Sequence, residues 1–181
     1  FGAELLGDEG WAREHDLTFA LSLGAAESAC MIHDTAAMHA LAATALARVK
    51  RPLDRVKVQQ VLILSKTLQM DLKTAVSLAV AALRDLGVRM SPAPSKLDVL
   101  ASVMRTRISL AGKRVEAFSD LPPASDPVVM ARAEVMGGVL SAAYRGVPNA
   151  FIRLVLEILK LSVQHGNTAA GILVLAAGIE G

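Results

Sequence analysis

The chain carries a single cysteine, Cys30. No disulfide can form within it, and a reducing, cytoplasmic setting suits it. Aromatic residues are also scarce, with four Phe, one Tyr and one Trp. Together with the lack of period-two alternation, this excludes a β-sandwich or barrel. No uninterrupted apolar run reaches the roughly 20 residues that a membrane span requires. The longest stretch without formal charge, residues 161–179, holds Ser162, Gln164, His165, Gly166, Asn167 and Thr168, and reads as two helices around a turn. A net charge of +2 is too small to point to nucleic acid or an acidic lipid surface.

What the chain has is alanine, leucine and valine, which carry most of its 53% hydrophobic content. Alanine favours helix and adds little bulk, so helices can approach closely. At 181 residues there is enough chain for one or two domains with a buried core. The spacing predicts an all-α fold of about eight helices, arranged as stacked antiparallel hairpins.

The first helix is expected from Asp8 to about Met31, with Trp11, Leu17, Ala20, Leu21, Leu23 and Ala26 as its apolar stripe. His33-Asp34 forms the turn, with Asp34 as N-cap of a helix from Thr35 to about Val49. Pro52 opens a third helix to Leu68, and Asp71 caps a fourth that Gly87 ends. Ser95 and Asp98 form a capping box for the fifth helix. That helix has the cleanest period in the chain, through Leu97, Leu100, Met104, Ile108 and Ala111, before Gly112 stops it. Asp126-Pro127 starts a sixth, which contains Gly137-Gly138 as a point of close helix contact. Pro148 starts a seventh that ends at His165-Gly166, and Asn167 caps an eighth.

The turns at Asp34 and Asp71 lie 37 residues apart, each followed by small residues on the next helix. This is a degenerate version of the tetratricopeptide spacing of about 34 residues, without its aromatic and glycine signature. Residues 1–90 are expected to form two such hairpins, and residues 95–181 further hairpins of the same right-handed superhelical solenoid.

Chemistry-bearing residues are few. Gly112-Lys113 is followed by Arg114, and Arg107 stands where a phosphate-binding loop needs its first glycine, so Lys113 reads as a solvated helix end. Cys30 and His33 can share a helix face, but with only His39 nearby they fall short of a zinc ligand set. Cys30 reads as a buried small hydrophobe. His15, Glu14 and Asp16 read as a wet helix face, and His165 as a favourable charge at a helix C-terminus. No catalytic residue, cofactor site or metal site is expected. Two basic clusters remain, one of Arg48, Lys50, Arg51, Arg55 and Lys57, the other of Arg105, Arg107, Lys113 and Arg114. Neither has interleaved aromatics for stacking on bases.

Three segments carry a family likeness: LRDLGVRMSPAPSK, RTRISLAGKRVEAFSDLP, and the long run from Ser125 to Asn167 ending in QHGN. With GWAREHDLTFALSLGAAESACMIHD and RPLDRVKVQQ upstream, they resemble the tetratricopeptide-like helical region of large multidomain signalling proteins. Those proteins place an AAA-type ATPase module, often with a serine/threonine kinase-like domain, before this region, and a sensor and histidine kinase output after it. The chain departs from the pattern at Cys30-Met31, at His33-Asp34 and at Thr168-Ala169-Ala170-Gly171. The resemblance implies a piece of a longer polypeptide whose ATP chemistry lies elsewhere. This piece would be a non-catalytic scaffold that binds neighbouring domains or a peptide. A free-standing peptide-binding adaptor is the alternative, and a helical enzyme lacks the convergent polar pocket it would need. The expected contact surface comprises His39, Thr44 and Lys73 on second-type helices, with Arg48, Arg51, Arg55, Arg105 and Arg107 from the basic clusters.

Overall fold

A computed structural model describes residues 9–110 and 123–172. Those residues are helical throughout apart from turns and loops, and they contain no β-strand beyond a single isolated bridge between Pro123 and Asn167. The all-α reading holds. The helices are α1 (His15–Met31), α2 (Thr35–Arg48), α3 (Pro52–Leu68), α4 (Leu72–Asp85), α5 (Lys96–Leu110), α6 (Pro127–Gly146) and α7 (Pro148–His165). Residues 9–13 and 169–172 form short helical turns. Ala111, Gly112, Lys113 and Arg114, the start at Asp8 and the continuation of the eighth helix lie outside the described residues. Contacts divide the chain into two compact units, Phe1–Met70 and Asp71–Gly181.

In the first unit α1, α2 and α3 each pack on the other two. The hairpin between α1 and α2 is made by two neighbouring residues with opposite tasks. His33 takes a left-handed conformation (φ 60°) and closes α1, its amide bonding the Cys30 carbonyl while the Asp34 amide bonds that of Ala29. Asp34 then opens α2, accepting from the Ala37 amide at 3.0 Å. The turn at Met70-Asp71 repeats the device, with Met70 at φ 60° and Asp71 accepting from the Thr74 amide at 3.4 Å. Both turns thus pair a left-handed residue with an Asp cap.

Two details of α1 differ from expectation. The helix is not continuous from Asp8, because Glu14 leaves helical geometry (φ −129°, ψ 56°) and separates residues 9–13 from α1. The ladder is bridged rather than lost, since the Glu14 amide bonds the Gly10 carbonyl and the Thr18 amide bonds that of Glu14. The buried face also differs. It is Thr18, Phe19, Ser22, Ala26, Ala29 and Cys30, whereas Leu17, Ala20 and Leu21 are exposed. Apart from Phe19 these residues are small, which lets two helices approach α1 together. Around them sit Met38, Ala42, Ala45, Val49, Val58 and Val61, with Trp11 and Leu23 half-buried at the edge.

In the second unit α6 and α7 pack together, joined through Val147 alone. α4 lies on α6 and α5 on α7. Each start follows from local chemistry. Asp126 accepts from Val128 and Val129 amides at 2.7 and 3.3 Å, and Pro127 and Pro148 occupy first-turn positions whose amides need no partner. Gly87 (φ 87°) ends α4 in a Schellman turn, its amide bonding Arg84 and that of Val88 bonding Leu83. The remaining carbonyl of Leu86 accepts from Arg132 Nε of α6 at 2.8 Å.

The core of this unit is formed by Val76, Val80 and Leu83 of α4, Met136 and Val139 of α6, and Leu154 and Ile158 of α7, all fully buried. Each such side chain contributes roughly 1.5–3 kcal/mol on leaving water. Close approach is provided at Gly146, where an added Cβ would sit 2.6 Å from Leu72 Cβ. Of the expected glycine pair, Gly137 meets Ala170 at 3.2 Å and Gly138 faces open space.

Candidate functional site

α5 is the helix at which sequence and packing disagree. Its start follows the capping box in full. The Ser95 amide and hydroxyl both donate to Asp98 Oδ2, at 2.9 and 2.8 Å, and the Asp98 amide donates to Ser95 Oγ at 3.2 Å. Those bonds, the Ser95 hydroxyl first, hold the Asp98 carboxyl below the usual carboxylate range. The helix they launch then turns the wrong side outward. Leu97, Leu100, Met104 and Ile108 are 76%, 55%, 53% and 77% exposed, while Ser102 is buried and Val99, Val103 and Thr106 are half-buried. The cleanest apolar period in the chain therefore faces solvent.

Beside that stripe, between α5 and α7, lies a recess of about 220 Å³. Arg105, Arg153 and Lys160 supply its positive charge, and Glu157 its negative charge. Glu157 is shared loosely, at 3.8 Å from Arg153 and 3.7 Å from Lys160. Ser102, Thr106 and Leu156 complete the wall, and Ser102 Oγ is buried behind it with no hydrogen-bond partner. Arg105 borders both recess and solvent, and its Nε bonds the Ala101 carbonyl at 3.2 Å. Sequence reading missed Arg153, Glu157, Lys160 and Ser102. The three charges were legible as an i, i+4, i+7 series on one helix, but their meeting with α5 is tertiary.

In the first unit a second polar cluster forms at the Glu14 break. The Trp11 ring stands edge-on to His15 with centroids 5.4 Å apart. His15 Nε2 lies 3.4 Å from the Arg48 carbonyl, and its Nδ1 lies 3.5 Å from Asp16, which Arg51 Nη1 also reaches at 3.1 Å. These groups border an open recess of about 460 Å³. They fasten the start of α1 to the loop after α2, which is a structural task.

The expected contact residues are all exposed and are divided between the two units. His39, Thr44, Arg48, Arg51 and Arg55 belong to the first unit, and Lys73, Arg105 and Arg107 to the second. On α2, His39 and Arg48 lie about half a turn apart in angle, on opposite flanks. Thr44 spends its hydroxyl on the Ala40 carbonyl at 2.9 Å. Arg51 borders the recess at the Glu14 break and Arg105 the recess between α5 and α7, each together with other charges.

Cys30 is buried, and burial pushes its thiol pKa upward against a smaller opposing hydrogen bond from Ser65. It is packed as a small hydrophobe, as expected. Among the described residues no three His, Cys, Asp or Glu side chains come together to hold a metal ion. No helix among them is long and apolar enough to cross a membrane. A wider apolar recess of about 750 Å³ lies along α6, between Met130, Ala133, Gly137 and Ala170, with Glu134 as its one ionisable lining group among the described residues. Comparison with protein-family models, with curated proteins and with solved structures finds no match to this chain.

Proposed function

We propose that the chain is a non-catalytic helical scaffold, coupling an ATPase or kinase module to a sensor or output domain within a multidomain signalling protein. The observation that carries this reading is the outward apolar stripe of α5. A helix held by a complete capping box and packed on α7 offers Leu97, Leu100, Met104 and Ile108 to something other than its own unit. Large apolar side chains in a row on a solvated helix are the mark of a contact surface rather than of a reaction site. The repeated left-handed residue and Asp cap at His33-Asp34 and Met70-Asp71 support a helical-repeat character. The protein partner belongs to the same polypeptide or to a peptide ligand, and the chain itself holds no nucleotide.

The test is a titration of the purified chain with ATP and Mg²⁺, followed by calorimetry. The reading predicts no saturable binding. Stoichiometric ATP binding by the isolated chain contradicts it. The open reading frame around the segment provides an independent check, because nucleotide-binding loops upstream and a kinase core downstream are expected.

A further inference from the structure

The exposed stripe and the charged recess share one helix, and together they specify the chemistry of a partner. Leu97, Ala101, Met104 and Ile108 recur at alternating spacings of four, three and four. That is the narrow seam used by paired helices, rather than the broad apolar arc of a helix lying on lipid. No Trp or Phe accompanies it, although such rings anchor helices at membrane surfaces. The flanks are cationic. Lys96 and Arg107 lie along one side and Arg105 along the other, where the recess adds Arg153 and Lys160 against Glu157. Asp98, bonded by Ser95, keeps its charge on the Arg105 side, so there Arg105, Arg153 and Lys160 outnumber Asp98 and Glu157 by one, while Lys96 and Arg107 stand on the other side. A second copy of the chain would bring the same positive excess. A helix with acidic flanks would meet opposite charge on both sides.

From this geometry we infer that α5 is the docking face for an acidic amphipathic helix. Its apolar side covers Leu97, Leu100, Met104 and Ile108, and one of its carboxylates enters the recess beside Arg105. The seam, with Leu100 along its edge, supplies affinity by removing four large side chains from water. The recess supplies register and selectivity, because a carboxylate there finds a surplus of cations. The inference rests on the scaffold reading, and it names the partner that reading leaves open.

The experiment titrates the full chain with two synthetic helices of about three heptads, both with Leu at the seam positions. One has Glu on its flanks and the other Lys. The Glu helix is expected to bind saturably, at least about tenfold more tightly than the Lys helix, and to weaken as salt rises. Leu100→Glu with Ile108→Glu replaces two exposed side chains and removes binding while helicity stays intact. Arg105→Glu with Arg107→Glu reverses the preference between the two helices, which a general loss of structure would not do. Equal affinity for both helices, unchanged affinity in L100E/I108E, or an unaltered preference in R105E/R107E overturns the inference. So does self-association of the chain that I108E abolishes, or binding to vesicles of anionic lipid in place of the Glu helix. An ATP titration on the same preparation keeps the two ideas apart. Nucleotide binding with Glu-helix docking intact removes the scaffold reading alone, and neither binding event removes the docking face alone.

Discussion

α4 and α5 are of similar length, follow one another in sequence and both begin at an aspartate-assisted start. α4 buries Ala75, Val76, Ala79, Val80 and Leu83 completely, whereas α5 leaves Leu97, Leu100, Met104 and Ile108 exposed. Apolar periodicity explains why each is a helix. It does not determine whether the apolar side is covered, because cover comes from a neighbour. α6 lies across α4, while α7 lies on the side of α5 that carries Ser102 and Thr106. A helix stable in this inverted orientation depends on its capping box and on the inner Val99 and Val103, and its outer face is left available.

The sharpest way to break this contrast is paired truncation. Leu83→Ala, in the α4 core, should cost about 2–5 kcal/mol in denaturant unfolding. Leu100→Ala, on the outer face of α5, should fall within about 0.5 kcal/mol of the parent. Comparable losses at the two positions would mean that the α5 stripe is covered in solution. A smaller effect is expected at Gly146. The Cβ of Gly146→Ala collides with Leu72 Cβ, a part of the side chain that cannot swing away, so α6 and α4 must separate. The expected loss is about 1–3 kcal/mol, read from the unfolding midpoint. Gly138→Ala, whose new methyl meets nothing within 4 Å, serves as the control and should raise stability by roughly the helix-propensity difference.

The smallest effect concerns acid. The folded Asp98 carboxyl titrates below its unfolded value, so its contribution is present above the ordinary carboxylate pKa of about 3.9. That contribution is lost as the pH falls through the lower folded value. Asp98→Asn should flatten this acid-dependent component of helicity, measured by circular dichroism across the acid range. A steeper acid loss in the variant would contradict the capping account.

Much of the fold was legible because helix ends are local. Asp34, Asp71, Ser95 with Asp98, Asp126, Pro52, Pro127, Pro148, Gly87 and Gly166 all mark the starts and stops that their side chains or backbone freedom dictate. The faces were less legible. α1 buries Ala26 as expected, but Phe19, Ser22 and Ala29 in place of Leu17 and Leu21, because the side that faces the neighbouring helices is set by their packing. The break at Glu14 carries no proline or glycine of its own to announce it. Of the candidate surface, Arg105 and Arg107 were found from charge clustering. Arg153, Lys160 and Ser102 become part of it only because α7 packs beneath α5.

The docking face is tested most directly by the methyl signals of the methionines in carbon-13 NMR, recorded as the Glu-flanked helix is added. Met104 on the outer face of α5 should shift saturably, and Met136, fully buried between helices of the second unit, should not. A Met104 signal that stays in place under an excess of the helix would contradict the account.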